Sequence, residues 1–249
     1  MLLEPKSGCV YGPVNSRRLG RSLGINALPA GRKTCTLDCQ YCQYGWTTLE
    51  PAPRSAFPEV AEALRAVEAR LASLAEPPDY LTFSGNGEPT LHPRFPDLVD
   101  GVLGIRDRLA PRARLAILSN STTAGEPDVR DALRRLDVRI MKLDAGRGET
   151  LRRFNQPRVG IGVADLVESL RTLGGVTVQA LFAGGLMGNA GEEDVEAWLE
   201  AVRRVRPVAV QVYSLDRDTP SRDITRLDAP ALLAIVTRLA ERGIEARAY

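Results

Sequence analysis

Residues 56–89 read AFPEVAEALRAVEARLASLAEPPDYLTFSGNGEP. The first part carries apolar residues at 60, 64, 67, 71 and 74, three or four apart, which is the spacing of one buried helix face. Tyr80–Ser84 then gives a short β-rich run that stops in a glycine loop, Gly85-Asn86-Gly87. Helix, strand and glycine turn in that order make one unit of a strand–helix alternation.

The same alternation runs outward in both directions. Strands are expected at 23–26, 80–84, 115–119, 138–144, 176–182 and 208–214, with a further candidate at 244–249. Helices are expected at 58–75, 95–110, 127–136, 163–173, 192–205 and 229–242. Glu192-Glu193-Asp194 loads acids onto a first helical turn, which suits its dipole. Asp228-Ala229-Pro230 reads as an N-cap followed by an early proline. Repeated βα units of this length imply a parallel sheet covered by helices. Periodicity leaves two architectures, a doubly wound sheet or a barrel of fewer than eight units. In both, ligands bind at the C-terminal ends of the strands.

The unusual polar residues collect at those ends. The cysteine loop follows the first strand and Ser84–Thr90 the second. Ser119-Asn120-Ser121-Thr122 follows the third, Lys142 and Asp144 end the fourth, Gly184-Gly185 follows the fifth, and Tyr213–Arg217 closes the sixth. Such a rim describes a binding mouth.

The chain has 249 residues, 44% hydrophobic and 26% charged, enough for one substantial core. A single domain is expected over 1–249: a basic N-terminal segment (1–22), a barrel core (23–215), and a C-terminal loop, helix and last strand (216–249). No apolar run approaches the roughly 18 residues that span a bilayer, and the first residues lack the apolar stretch of a signal peptide. The expectation is a cytoplasmic protein without a membrane partner. Residues 1–54 hold seven Lys/Arg against three acids, and the rest 26 against 28. This basic excess lies beside the cysteines, where an anionic ligand would benefit, but it is too small to favour a nucleic-acid partner.

Cys35-Thr-Leu-Asp-Cys39-Gln-Tyr-Cys42 is the strongest chemical signal. Thiolates three and four positions apart can converge from one loop. A structural zinc site needs four ligands, and a fourth is hard to find: the chain's histidine is His92 and its other cysteine, Cys9, lies 26 positions upstream. Three sulfurs suit a cubane with three irons held by protein and one left open. Lys142 and Asp144 would share a strand face, as an ion pair or as a substrate or carboxylate site. Gln179 reads as a core amide, His92 as a loop residue and Cys9 as a free thiol.

The C-x3-C-x2-C pattern, with Tyr41 before its last cysteine, resembles the cluster loop of the radical S-adenosylmethionine (SAM) superfamily. Asn86-Gly87-Glu88-Pro89 is similar to that family's Gly-Gly-Glu-Pro motif, with Asn in place of the first glycine. The resemblance implies an incomplete (β/α)6 TIM-like barrel. It also implies one [4Fe–4S] cluster per chain on Cys35, Cys39 and Cys42, and SAM chelated to the open iron. Reductive cleavage would give methionine and a 5′-deoxyadenosyl radical for hydrogen abstraction. It further implies cofactor contacts at Tyr41, Gly85, Asn86, Gly87, Glu88, Ser119, Asn120, Lys142 and Asp144, with Glu88 accepting from the methionine ammonium. An external, flavodoxin- or ferredoxin-like electron donor would serve as partner. Arg17, Arg18, Arg21, Tyr213 and Arg217 are candidate substrate or carboxylate contacts.

More narrowly, residues 16–24, 142–146 and 213–217 resemble the compact iron–sulfur oxidoreductases grouped with wyosine-synthesis enzymes. Those tRNA-modifying enzymes carry a second cluster, for which one spare cysteine is too few. A glycyl-radical activase is an alternative of similar size. An electron carrier or sensor is the non-enzyme alternative, and it needs neither an open iron nor the Glu88 loop.

Overall fold

The structure is a computed structural model and describes residues 2–48 and 50–249. In chain order its strands and helices are β1 (Val10–Ser16), β2 (Gly20–Ile25), α1 (Val60–Ala72), β3 (Tyr80–Phe83), α2 (Phe95–Leu109), β4 (Arg114–Ser119), α3 (Pro127–Arg134) and β5 (Val138–Lys142). Then follow α4 (Gly148–Thr150), α5 (Val163–Leu173), β6 (Val176–Leu181), β7 (Ala183–Gly184), α6 (Glu192–Val205), β8 (Ala209–Tyr213), β9 (Thr225–Arg226), α7 (Ala229–Ala240) and β10 (Ala246–Ala248). The short α4 runs on as a π turn through Leu151–Asn155.

The eight-stranded main sheet has the order β1-β2-β3-β4-β5-β6-β8-β10. All its pairings from β2 onward are parallel. Six βα units therefore cover the sheet, as the alternation predicts, and the C-terminal segment adds its last strand at the β8 edge. β1 and β10 lie at opposite ends of the order and do not pair, so the barrel is incomplete.

Strand alternation separates the two faces of the sheet. The register aligns Leu23, Leu81 and Leu115 in one row and Ile25, Phe83 and Ile117 in the next. All six are fully buried and pack in the core that helices α1, α2, α3, α5, α6 and α7 close from outside. Val60, Ala63, Val67 and Leu71 of α1 supply its first wall. Trp198 of α6 stands edge-on to Phe182 at 4.8 Å and donates to the Leu143 carbonyl at 2.7 Å. On the other face, Ser22 and Thr82 share a hydroxyl hydrogen bond of 2.7 Å. Asp228 caps α7 by accepting from the Ala231 N–H at 2.9 Å.

Two features depart from the sequence reading. The segment expected as a basic leader ahead of the barrel is partly sheet: β1 pairs antiparallel with β2 and breaks register between Tyr11 and Val14. Gly12-Pro13 occupies that bulge, where a residue without an N–H is tolerated. Arg21, grouped in the sequence with Arg17 and Arg18, starts β2 and so sits at the far rim. Its guanidinium donates to the carbonyls of Glu76 and Pro77 at 2.7 and 3.1 Å, on the segment that leads into β3.

Candidate active site

The cysteine loop leaves β2 and is pinned across the rim by backbone contacts. Thr34 N–H donates to Asn86 O at 2.8 Å, and Glu88 N–H donates to Thr34 O at 3.0 Å. Gly87 has φ +139°, and a Cβ there would lie 1.9 Å from Thr34 O. This glycine admits the cysteine loop itself, one residue before Cys35. Gly85, at φ +128°, is bare for a similar reason, since a Cβ would meet Asn26 Oδ1 at 2.6 Å.

The side chains of Asn86 and Glu88, expected as cofactor contacts, are buried and hydrogen-bonded to neighbouring segments of the chain. The Asn86 amide is fully buried, donates to the Lys6 and Pro29 carbonyls at 2.9 and 3.0 Å, and accepts from Lys6 N–H at 2.6 Å. It ties the N-terminal segment to the loop. The Glu88 carboxylate is also fully buried. It accepts from Thr90 N–H at 3.1 Å, Thr90 Oγ1 at 2.6 Å and Ser119 Oγ at 3.0 Å, and from Asn120 N–H. Burial pushes its pKa up although these donors favour the charged form. Three of these donors meet Oε1 and one meets Oε2, so Glu88 brackets the β3 loop to the end of β4.

That bracket aims Asn120. Its Nδ2 donates to Cys35 Sγ at 3.3 Å and Thr36 Oγ1 at 2.9 Å. Its Oδ1 accepts from Thr122 N–H at 3.0 Å. The turn does not cap the next helix, whose cap position is Glu126.

Cys39 is buried, and Cys35 and Cys42 are half-buried; all three gather in one cluster with Leu37, Tyr41 and Phe154. Cys39 Sγ accepts from Asn155 Nδ2 at 3.4 Å. Burial pushes the Cys35 thiol up to about 11 and the Cys39 thiol up to about 12, so binding metal there releases protons. Lys33 is almost wholly buried beside the three sulfurs. Its ammonium donates to Gly45 O at 2.7 Å and Asp38 Oδ1 at 3.2 Å. Burial lowers its pKa, the three sulfurs raise it, and the balance is upward.

The donor set fits an iron–sulfur cluster. Three soft thiols share one loop, two take amide N–H bonds, and a buried cation offsets the charge of thiolates. Among the described residues no three His, Cys, Asp or Glu side chains are arranged to hold a single metal ion, whereas a cubane offers each thiolate its own iron. Cys9 packs against the main core instead, its thiol pushed up by burial and Glu62.

Lys142 and Asp144 form an ion pair at 3.6 Å, joined by Tyr41. Lys142 Nζ donates to Tyr41 Oη at 2.6 Å, and Tyr41 donates to Asp144 Oδ2. Asp144 is also held by Asn155 Nδ2 at 2.7 Å and Leu181 N–H at 2.9 Å. Burial disfavours the Lys142 charge, but Asp144, Tyr213, Cys39 and Cys42 together more than reverse this, and its pKa rises. Asn155 thus bridges this network to Cys39.

These groups adjoin a cavity of about 530 Å³, within the roughly 300–1,000 Å³ of ligand sites. Its wall includes the three cysteines, Tyr41, Gly85, Gly87, Ser119, Asn120 and Lys142. Gln179, which bonds Gln211 at 3.2 Å, also lines it, so it is a lumen amide. Arg17, Arg18, Tyr213 and Arg217 line it as well. The turn between β1 and β2 reaches the strand at the opposite side of the barrel: Arg17 pairs with Asp216 at 2.5 Å, and Arg18 lies 4.6 Å over the Tyr213 ring.

The sequence reading missed Lys33 and Asn155. A cation two positions before the first cysteine was the signal for Lys33. Asn155 lies in a π turn with no periodic signature, and the long connection from 145 to 162 was its only hint.

The sequence pattern of the Radical SAM superfamily matches residues 33–247. A UPF0026 protein of Synechocystis sp. is 32% identical over 217 residues, 85% of this chain and 77% of that protein. A UPF0026 protein of Methanocaldococcus jannaschii is 36% identical over 161 residues, 64% of this chain and 48% of that protein; this chain thus spans about half the length of that relative. The solved structure of TYW1 with a lysine-pyruvate adduct bound has a TM-score of 0.64 at 15% identity, over 89% of this chain and 73% of that one, a likeness of fold. The pattern begins at Lys33, runs through the three cysteines and carries on into β10, and on that match the chain belongs to the radical SAM superfamily.

Proposed function

We propose that Cys35, Cys39 and Cys42 hold one [4Fe–4S] cluster and that SAM binds its open iron from the 530 Å³ cavity. Superfamily members are enzymes that bind SAM and carry iron–sulfur chemistry. The observation that carries the finer reading is the gathering of three thiols at the mouth of the barrel, with the Asn120 and Asn155 amides on two of them. When bound, the cluster and SAM supply reductive cleavage to a 5′-deoxyadenosyl radical that abstracts a hydrogen atom from substrate.

The chain's own groups do the rest. Asn120 and Asn155 donate to sulfur and so fix two ligands and tune their electron density. Lys33 offsets their negative charge. Glu88 and Asn86 hold the loop from behind. The bare backbone at Gly85 and Gly87, with Ser119 and Asn120, forms the wall for the methionine and ribose end of SAM. The Tyr41–Asp144–Lys142 network holds the aromatic residue beside Cys42 and closes that side against water. An external donor of the flavodoxin or ferredoxin kind supplies the electron.

Anaerobic reconstitution tests this reading: about four irons per chain, with 5′-deoxyadenosine and methionine formed from reduced protein and SAM. Fewer than three irons, or no cleavage by fully loaded protein, would reject it.

A further inference from the structure

The lumen wall made by the β1–β2 turn and the end of β8 carries a cation, Arg18, that has no carboxylate partner among the described residues. Arg18 is half-buried, and its guanidinium lies 4.6 Å from the centroid of the Tyr213 ring and 5.7 Å from that of Tyr249. Among the described residues, no carboxylate, carbonyl or hydroxyl accepts from that guanidinium. Its neighbour shows the contrast. Arg17 holds Asp216 at 2.5 Å, and Asp216 is the acid that lines this cavity among the described residues. Lys142 and Lys33 are answered by Asp144 and Asp38. Among the described residues the wall's carboxylate is thus already taken by Arg17, and the Arg18 N–H donors face no acid.

A guanidinium lying over an aromatic ring is fixed in orientation, while its N–H edges remain free for a planar, bidentate acceptor. The elements assigned above to SAM belong to the β3 and β4 ends, whereas Arg18 belongs to the turn against β8. SAM's anionic group, its methionine carboxylate, would sit at the cysteine loop.

We infer that Arg18 binds an oxyanion of the substrate, a carboxylate or a phosphate, with Tyr213 holding the guanidinium. The substrate class is then an anionic molecule that enters the lumen with its charged end on Arg18. This rests on the reading of the cavity as a SAM-dependent active site.

The test is equilibrium binding of inorganic phosphate and of malonate to the reconstituted protein, with neutral malonamide as the control. Saturable binding of at least one anion and none of malonamide is expected. Arg18→Gln should weaken binding about 10- to 100-fold, the loss of a charge-assisted pair. Arg18→Lys should fall between, because it keeps the charge and loses the fork. Arg203→Gln, on the exposed face of α6 and paired with Glu200, should change nothing. Preference for phosphate over malonate would assign a phosphate ester, and the reverse a carboxylate. The inference is overturned if neither anion binds the wild type, or if Arg18→Gln binds as tightly. Production of 5′-deoxyadenosine is scored on the same samples: if it is absent from loaded wild type, the SAM reading fails, while anion binding still decides the role of Arg18.

Discussion

Replacing Gly87 by alanine should dislodge the cysteine loop. The added Cβ would lie 1.9 Å from Thr34 O, in a backbone conformation at φ +139° that a side chain resists. The conformation alone costs about 1–3 kcal/mol. Moving Thr34 away also breaks the bonds from Thr34 N–H to Asn86 O and from Glu88 N–H to Thr34 O, each worth about 1 kcal/mol net. Together the loss is about 3–5 kcal/mol, a large share of the roughly 5–15 kcal/mol of a typical domain. Thr34 adjoins Cys35, so iron retention should fall in parallel. Denaturant unfolding and iron analysis after reconstitution read the two effects. Gly160→Ala, where nothing lies within 4 Å of the added carbon, is the control and should change stability by less than about 0.5 kcal/mol. A Gly87→Ala protein as stable as that control and carrying full iron would refute the reasoning that this glycine exists to admit the cysteine loop.

Asp144→Ala leaves Lys142 without its carboxylate and strips acceptors from Asn155 and Leu181 N–H. It should cost about 3–5 kcal/mol in denaturant unfolding, with part recovered in the Lys142→Met double variant because the orphaned charge is then gone. His92 donates through Nε2 to Pro58 O at 2.9 Å and accepts from Arg94 N–H at Nδ1 at 3.0 Å, and burial lowers its pKa. The unfolded chain therefore takes up a proton near the usual pKa of about 6.5 that the folded chain refuses. Stability should be full above that value and fall as the pH drops toward the folded pKa, by at most about 1.4 kcal/mol per pH unit. Unfolding curves at about pH 8 and about pH 5.5 should show this loss in wild type and less of it in His92→Gln.

The βα alternation was legible because apolar periodicity is a property of residue type, and α5 and α6 match the expected boundaries residue for residue. β1 was not, because Gly12-Pro13 reads as a turn and only pairing with β2 makes it a strand. The cysteine loop announced itself through spacing and chemistry. The partners of a side chain did not: Asn86 and Glu88 stand in the motif, yet residues far along the chain supply the hydrogen bonds that bury them. Arg17, Arg18 and Arg21 look like one cluster in sequence, but a hairpin turn sends Arg17 and Arg18 to the lumen, while Arg21 in β2 reaches the Glu76 carbonyl ahead of β3. Asn155 meets Cys39 across 116 positions, a contact no local pattern encodes.

The most direct test of the central claim is product formation by anaerobically reconstituted, chemically reduced protein incubated with SAM. The account predicts equal amounts of 5′-deoxyadenosine and methionine from wild type and from Cys9→Ser, and none when Cys35, Cys39 and Cys42 are all alanine. Cleavage that survives in the triple variant, or is absent from wild type carrying about four irons, would contradict it.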